Sequence, residues 1–222
     1  TMEDINAIAV TYAPGLLGSL LVGVECAKTL AYVYNKPLIA VNHTLGHIYA
    51  NNIEHDITYP TLALIVSGGH TDLLVLKNEK EMEVLGSTID DSIGEVFDKV
   101  ARILGMKYPG GPNIEAAAQK GHDTYSLPKP MQDDTYNFSY SGLKSYIINL
   151  VHNETQRNTP IRKEDLACSF QTVAVDELTR KVSLALENTK IKNMILAGGV
   201  SANKYLRNEM QKTCAKYGVT FH

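Results

Sequence analysis

Short apolar runs alternate with longer helical stretches along this chain, and that alternation most limits how it folds. Residues 5–10 read as a strand, Pro14-Gly15 as a turn, and residues 16–34 as a helix apolar enough to be buried. Lys36-Pro37 stops that helix, and residues 38–41 form a second strand leading into a helix that carries His43 and His47. Strand, helix, strand, helix is the pattern of an α/β layered fold. Residues 61–66 are the next strand, which turns through Gly68-Gly69 into residues 72–76 as a hairpin, with residues 83–89 as a third antiparallel strand. Asp91 is the expected cap of a helix running to Leu104, whose apolar residues Ile93, Val96, Phe97, Val100 and Leu104 keep helical spacing. The run 108–112 reads as a rigid turn, 125–137 as a surface loop, 162–188 as a long helix and 193–197 as a buried strand. Gly198-Gly199 and a Ser201 cap are then expected to open a last helix.

The bulk numbers narrow the class. With 222 residues, 44% hydrophobic and 20% charged, the chain has material for one large or two small domains with a real core. A net charge of −3 neither requires nor excludes a nucleic-acid partner. Cys26, Cys168 and Cys214 are scattered, without a C-x-x-C pair, which points to reduced thiols and a cytoplasmic setting. No apolar run is long enough to span a membrane, so no membrane partner is expected. The sequons at Asn42, Asn137 and Asn153 carry no weight without secretion.

Several segments carry chemistry. His43 and His47 stand four apart, so a helix places both imidazoles on one face, as a metal pair or as an ordinary packed pair. The spacing is that of H-E-x-x-H, but Thr44 occupies the position of the glutamate base, which disfavours a metalloprotease. A third ligand has only His55 and His70 as local candidates. The turn Ser67-Gly68-Gly69-His70-Thr71 is either a plain hairpin turn or a backbone cradle for a phosphate. Ala197-Gly198-Gly199 echoes it, and two glycine-ended strands suggest one nucleotide held at two points. Asp98 lies on the polar face of its helix, as a solvated carboxylate or an ion pair with Arg102. The run 108–112 is a stiff connector or an approach to a ribose or base, and Asn203 a cap residue or a hydrogen-bond partner for adenosine.

Taken together, N-H-x-x-x-H, V-S-G-G-H-T, D-D-S-I-G-E-V-F-D-K, Y-P-G-G-P, F-S-Y-S-G-L-K and A-G-G-V-S-A-N, in this order, closely resemble the TsaD family. These are the tRNA N(6)-adenosine threonylcarbamoyltransferases, formerly named O-sialoglycoprotein endopeptidases. The resemblance covers essentially the whole chain, and F-S-Y-S-G-L-K is similar to the bacterial or organellar branch. It implies an actin-like ATPase (ASKHA) fold, two α/β lobes around a nucleotide cleft. Residues 1–58 would be the remainder of the first lobe with the histidine pair, and 59–222 the second lobe with a largely helical insertion near 111–190. It implies transfer of threonylcarbamoyl from threonylcarbamoyl-AMP to the N(6) amine of the adenosine 3′ of the anticodon, in tRNAs reading codons that start with A. By the resemblance His43 and His47 are ligands of one divalent metal, iron or zinc. Val66, Ser67, Gly68, Gly69, His70, Asp98, Gly111, Glu115 and Asn203 match the family's adenylate-binding positions, although many members carry aspartate where Glu115 stands. Further subunits, TsaB and TsaE, are the implied partners, and an ATP or AMP moiety enters as part of the substrate. The resemblance also makes the chain an internal fragment truncated at both ends, with a phosphate loop and an aspartate metal ligand expected outside it. Transfer by residues 1–222 alone is therefore not expected. The competing reading is a nucleotide-binding scaffold subunit; a bacterial relative of that kind lacks the histidine pair.

Overall fold

A computed structural model describes residues 1–222, which separate into two compact units, Thr1–Glu54 and His55–His222. In the smaller unit, strands β1 (Ile8–Ala13) and β2 (Leu38–Asn42) pair in parallel. Helix α1 (Leu17–Val33) connects them, and α2 (His43–Tyr49) follows β2 directly. β1 begins three residues later than its apolar run. Its ladder opens where the Ile8 amide donates to the Pro37 carbonyl at 2.9 Å, so the strand's start is set by its partner's first residue. Residues Met2–Asp4 form instead a short 3₁₀ turn closed by Thr1 and Asp4.

Helix α1 forms as expected but is not buried. Within it only Ala27 and Ala31 are covered, while Leu17 is 71% and Tyr32 88% exposed. Two short strands offer one narrow face, and a helix apolar all round has more to cover than that face supplies.

The larger unit is built on a mixed five-stranded sheet of order β5-β4-β3-β6-β7. Its strands are β3 (Thr61–Val66), β4 (Thr71–Leu76), β5 (Met82–Ser87), β6 (Asn193–Ala197) and β7 (Thr220–Phe221). β3 runs antiparallel to β4 and parallel to β6. All six residues of β3 are buried, which explains its continuous apolar pattern. Five helices follow: α3 (Ile93–Ile103), α4 (Gly110–Ala118), α5 (Ser141–Gln156), α6 (Lys163–Thr189) and α7 (Lys204–Lys216). The stripe Ile93, Val96, Phe97 and Val100 is fully covered, with Phe97 against Phe170 of α6 at 4.8 Å between ring centres.

Three local expectations are corrected. Ser92, not Asp91, caps α3 by accepting from the Glu95 amide; Asp91 is drawn away by ion pairs with Lys99 and Lys144. Gly110 and Gly111 belong to the first turn of α4 and are not a free turn. Asn203, not Ser201, caps α7, because Gly199–Ala202 first makes a 3₁₀ turn.

The loop at 125–137 is strapped to α6. Lys181, 0% exposed along its side chain, donates to Asp133 Oδ1 at 2.5 Å and to the Thr135 carbonyl at 2.6 Å. Arg180 reaches the Met131 and Asp133 carbonyls.

Candidate functional site

β3 and β6 are parallel neighbours with Ile65 opposite Ala197, so the glycine turns that follow them leave the same end of the sheet. That end, beyond the carboxyl termini of parallel strands, is where α/β folds take their ligands. Each turn is held from within. Ser67 Oγ accepts from the Gly69 and His70 amides at 3.3 and 3.0 Å, and the Ser67 amide donates to the His70 carbonyl at 2.8 Å. The start of α3 is stitched to the same turn. Ser92 Oγ donates to the Gly68 carbonyl at 2.7 Å and the Gly94 amide to the Ser67 carbonyl at 3.2 Å. The second turn rests on Gly198, whose φ of +94° is closed to most side chains and whose Cβ would lie 2.3 Å from the Val66 carbonyl.

Between these turns and α4 lies a cavity of about 470 Å³. Gly68, Gly94, Phe97 and Asp98 line it from one side, Tyr108, Pro109, Gly111, Pro112 and Glu115 from another, and Gly199, Val200, Ala202 and Asn203 from a third. Two carboxylates are its charged groups, and each has one oxygen engaged by the fold. Asp98 Oδ1 accepts from the Gly110 amide at 2.7 Å, joining α3 to α4, and not from Arg102. Glu115 Oε1 accepts from the Lys204 amide at 2.8 Å, joining α4 to α7. Asp98 Oδ2 and Glu115 Oε2 are left to accept from a ligand. Asn203 is more fully committed, with its oxygen on the Leu206 amide and its nitrogen on Gln171 Oε1, both at 2.9 Å.

The glycines around this cavity fall into two kinds. A Cβ on Gly94 would meet the Ser67 carbonyl oxygen at 2.5 Å, and one on Gly110 would meet Asp98 Cα at 2.5 Å, so close packing demands both. A Cβ on Gly68, Gly69, Gly111 or Gly199 would meet nothing within 4 Å, and none of the four has a left-handed φ. Neither packing nor backbone conformation requires glycine there, as is also the case at Gly18, Gly46 and Gly142; what sets Gly68, Gly111 and Gly199 apart is that they line the cavity.

Of the residues singled out in the sequence, Gly68, Asp98, Gly111, Glu115 and Asn203 converge on the cavity. Val66 is instead fully buried in β3, and Ser67, Gly69 and His70 make up the adjoining turn without lining it. Phe97, which helical spacing assigns to the core, also faces the cavity, as does Gly94, which was not singled out in the sequence. Its signal was the small residue one turn before Asp98 on the same helix.

Behind the site a second carboxylate network fixes α5. Asp90 accepts from Ser139 Oγ, Ser141 Oγ and the Tyr140 amide at 2.5, 2.6 and 2.8 Å. Partial burial raises the Asp90 pKa, but these donors outweigh it and hold the carboxyl below its ordinary value. Burial likewise opposes the Lys144 and Lys99 ammoniums at Asp91, and the cations win.

In the smaller unit Asn42 Oδ1 caps α2 by accepting from the Thr44 and Leu45 amides at 2.9 and 3.1 Å. His43 and His47 are brought to 3.1 Å between their Nε2 atoms, ring edge against ring. Two imidazoles on a tetrahedral metal, each about 2.0–2.1 Å from it, stand about 3.3 Å apart. The pair therefore fits a metal as two neighbouring ligands, and equally fits an imidazole–imidazole hydrogen bond. No group of three His, Cys, Asp or Glu side chains is placed to hold a metal. His55 stacks on His222, with ring centres 4.9 Å apart.

Comparison with known proteins bears on these features. The family model described as "TsaD: tRNA N6-adenosine threonylcarbamoyltransferase" matches residues 1–222. A tRNA N6-adenosine threonylcarbamoyltransferase of Staphylococcus epidermidis is 51% identical over 219 residues, covering 98% of this chain and 64% of the relative. One of Staphylococcus aureus is 52% identical over 215 residues, covering 96% of this chain and 63% of the relative. The chain thus spans just under two thirds of the length of these relatives. Among solved structures, full-length HypF in its phosphate- and nucleotide-bound form superposes with a TM-score of 0.70 at 16% identity, over 97% of this chain and 43% of that one. HypF of T. kodakarensis gives 0.69 at 15%, over 98% and 37%. At such identities the likeness concerns fold, which is α/β of the actin-like ATPase class.

Proposed function

The chain belongs to the TsaD family, and from that premise we propose that its larger unit binds the adenylate half of threonylcarbamoyl-AMP for transfer to tRNA. The observation that carries the reading is the set of glycines Gly68, Gly111 and Gly199, which open onto one cavity and are unexplained by the fold itself. With no lysine or arginine in the lining, the cavity suits a nucleoside better than a polyphosphate. Pro112 and Val200 supply apolar surface for a base, while Asp98 Oδ2 and Glu115 Oε2 accept from ribose hydroxyls. The phosphate then lies towards the Gly68 turn.

In the proposed reaction the N(6) amine of adenosine attacks the carbamoyl carbon. The new N–C bond forms as the C–O bond to the phosphate breaks, AMP leaves with that electron pair, and the amine proton passes to phosphate or water. The part of this chain's larger unit is to hold and orient the AMP half and to keep water from the mixed anhydride. His43 and His47 would supply two ligands to a divalent metal, iron or zinc, which when bound polarises a carbonyl or phosphoryl oxygen as a Lewis acid. The proposed acceptor is the adenosine 3′ of the anticodon in tRNAs reading codons that start with A. Partner subunits of the TsaB and TsaE kind fit the uncovered apolar positions of α1, Leu17, Leu21, Val22 and Tyr32. No helix is long and apolar enough to cross a membrane, and action in the cytoplasm is part of the proposal.

The scaffold-subunit reading shares the cavity but has no use for the histidine pair at 3.1 Å. The protease reading fails on Thr44, whose side chain cannot act as the base. Calorimetric titration with AMP tests the proposal. Asp98→Asn keeps an acceptor for the Gly110 amide but removes the charge, and should weaken AMP at least tenfold, about 1.4 kcal/mol. Equal affinity in Asp98→Asn and Glu115→Gln would place the adenylate elsewhere.

A further inference from the structure

The rim of the cavity differs in chemistry from its lining. Tyr108 contributes to the lining yet is 84% exposed. No hydrogen bond or ring contact holds its side chain. Lys107 precedes it, with its carbonyl accepting from Asn113 Nδ2 at 2.8 Å. Lys204 begins α7, with its amide on Glu115 Oε1 at 2.8 Å. Asn113 and Glu115 both belong to α4, so one helix fixes the backbone of both lysines, each next in sequence to a lining residue, Tyr108 or Asn203. Both lysines are exposed, and neither ammonium has an ion-pair or hydrogen-bond partner.

A free aromatic ring with unpaired cations on neighbouring backbone has a use when the ligand is a single strand of nucleic acid. The ring stacks on a base and the cations meet phosphates. A mononucleotide seated in the cavity needs none of this outside it. We infer that Tyr108, with Lys107 and Lys204, docks single-stranded RNA at the cavity mouth, the ring stacking on a base of that strand. The inference rests on the adenylate reading of the cavity and names the residues that receive the second substrate.

The test uses the whole protein, AMP, and a short single-stranded oligoribonucleotide whose central adenosine is replaced by fluorescent 2-aminopurine. The wild-type protein should bind the oligonucleotide and quench its fluorescence. Tyr108→Ala should weaken the oligonucleotide roughly 5- to 100-fold and abolish the quench, with a smaller loss of AMP affinity because the ring also borders the cavity; Tyr108→Phe should retain both properties. Lys107→Gln and Lys204→Gln should each lower the salt slope of oligonucleotide binding by about 0.7. Because Tyr108 is so exposed, thermal melts of the variants should match wild type. Unchanged oligonucleotide binding in Tyr108→Ala overturns the inference. So does equal weakening of AMP and oligonucleotide, or AMP binding by a wild-type protein that ignores the oligonucleotide. Failure of the wild type to bind AMP would instead remove the adenylate reading, and this inference with it.

Discussion

Replacing Gly111 and Gly94 in parallel separates a glycine kept for a ligand from one kept for the fold. Gly111 lies in the first turn of α4 with ordinary backbone angles, and a Cβ there meets nothing within 4 Å. Gly111→Ala should therefore raise stability slightly, by about 0.4–1 kcal/mol, through a less flexible unfolded chain. Gly111→Leu extends into the same 470 Å³ cavity and should leave the fold intact while abolishing measurable AMP binding. Gly94 gives the reverse expectation. Its Cβ would sit 2.5 Å from the Ser67 carbonyl oxygen and 2.9 Å from Gly68 Cα, both backbone atoms that cannot swing aside. Overpacking of that kind costs about 1–3 kcal/mol, and about 2–4 °C of Tm for each kcal/mol in a unit of this size. Differential scanning fluorimetry and calorimetry with AMP read the two quantities separately. AMP binding by Gly111→Leu at wild-type affinity would refute the argument that open glycines mark the ligand. A loss of stability in Gly111→Ala matching that of Gly94→Ala would refute the distinction between the two kinds.

Other outcomes follow from the charged network, the thiols and the histidines. Asp90 and Asp91 are both held below the ordinary Asp value of about 3.9, so their stabilisation is complete above that pH and fades as pH falls through the lowered folded values. Urea midpoints of the Asp90→Asn/Asp91→Asn variant should be lower than wild type at pH 6 and converge with it towards pH 2. Burial pushes the Cys214 thiol up to about 12, whereas Cys26 is exposed, so a thiol reagent at pH 8 should label Cys26 rapidly and Cys214 only on unfolding. Mass analysis of the labelled peptides checks this. In the whole protein, His43→Ala and His47→Ala should each remove bound metal as read by plasma mass spectrometry; stoichiometric metal in the double variant would dismiss the pair as ligands.

Much of the larger unit was legible because its signals are local. The strands at 61–66 and 193–197 are continuous apolar runs bounded by proline, asparagine and glycine, and burial on both faces leaves such runs little freedom. The convergence of the two glycine turns was legible as an echo, although only the parallel pairing of β3 with β6 gives it a spatial meaning. The caps were displaced because neighbouring polar residues compete. Asp91 could cap α3, but Lys99 of α3 and Lys144 of α5 claim it and Ser92 takes over. Asp98 pairs with a backbone amide twelve residues away, which side-chain spacing along a helix cannot foresee. Periodicity put Phe97 in the core stripe correctly, but it does not tell which edge of a stripe borders empty space. The exposure of α1 was illegible for a related reason: its apolar sequence states a need for cover, not whether two short strands meet it.

The central claim is that this chain serves threonylcarbamoyl transfer through an adenylate held at Asp98, Gly111 and Glu115. It is tested most directly by incubating the whole protein with partner subunits, threonylcarbamoyl-AMP and unmodified tRNA, and then measuring threonylcarbamoyladenosine in the digested tRNA by mass spectrometry. The account predicts modified nucleoside with wild type and at least a tenfold slower appearance with Asp98→Asn, with AMP as the released product. Undiminished modification by both Asp98→Asn and Gly111→Leu would contradict it.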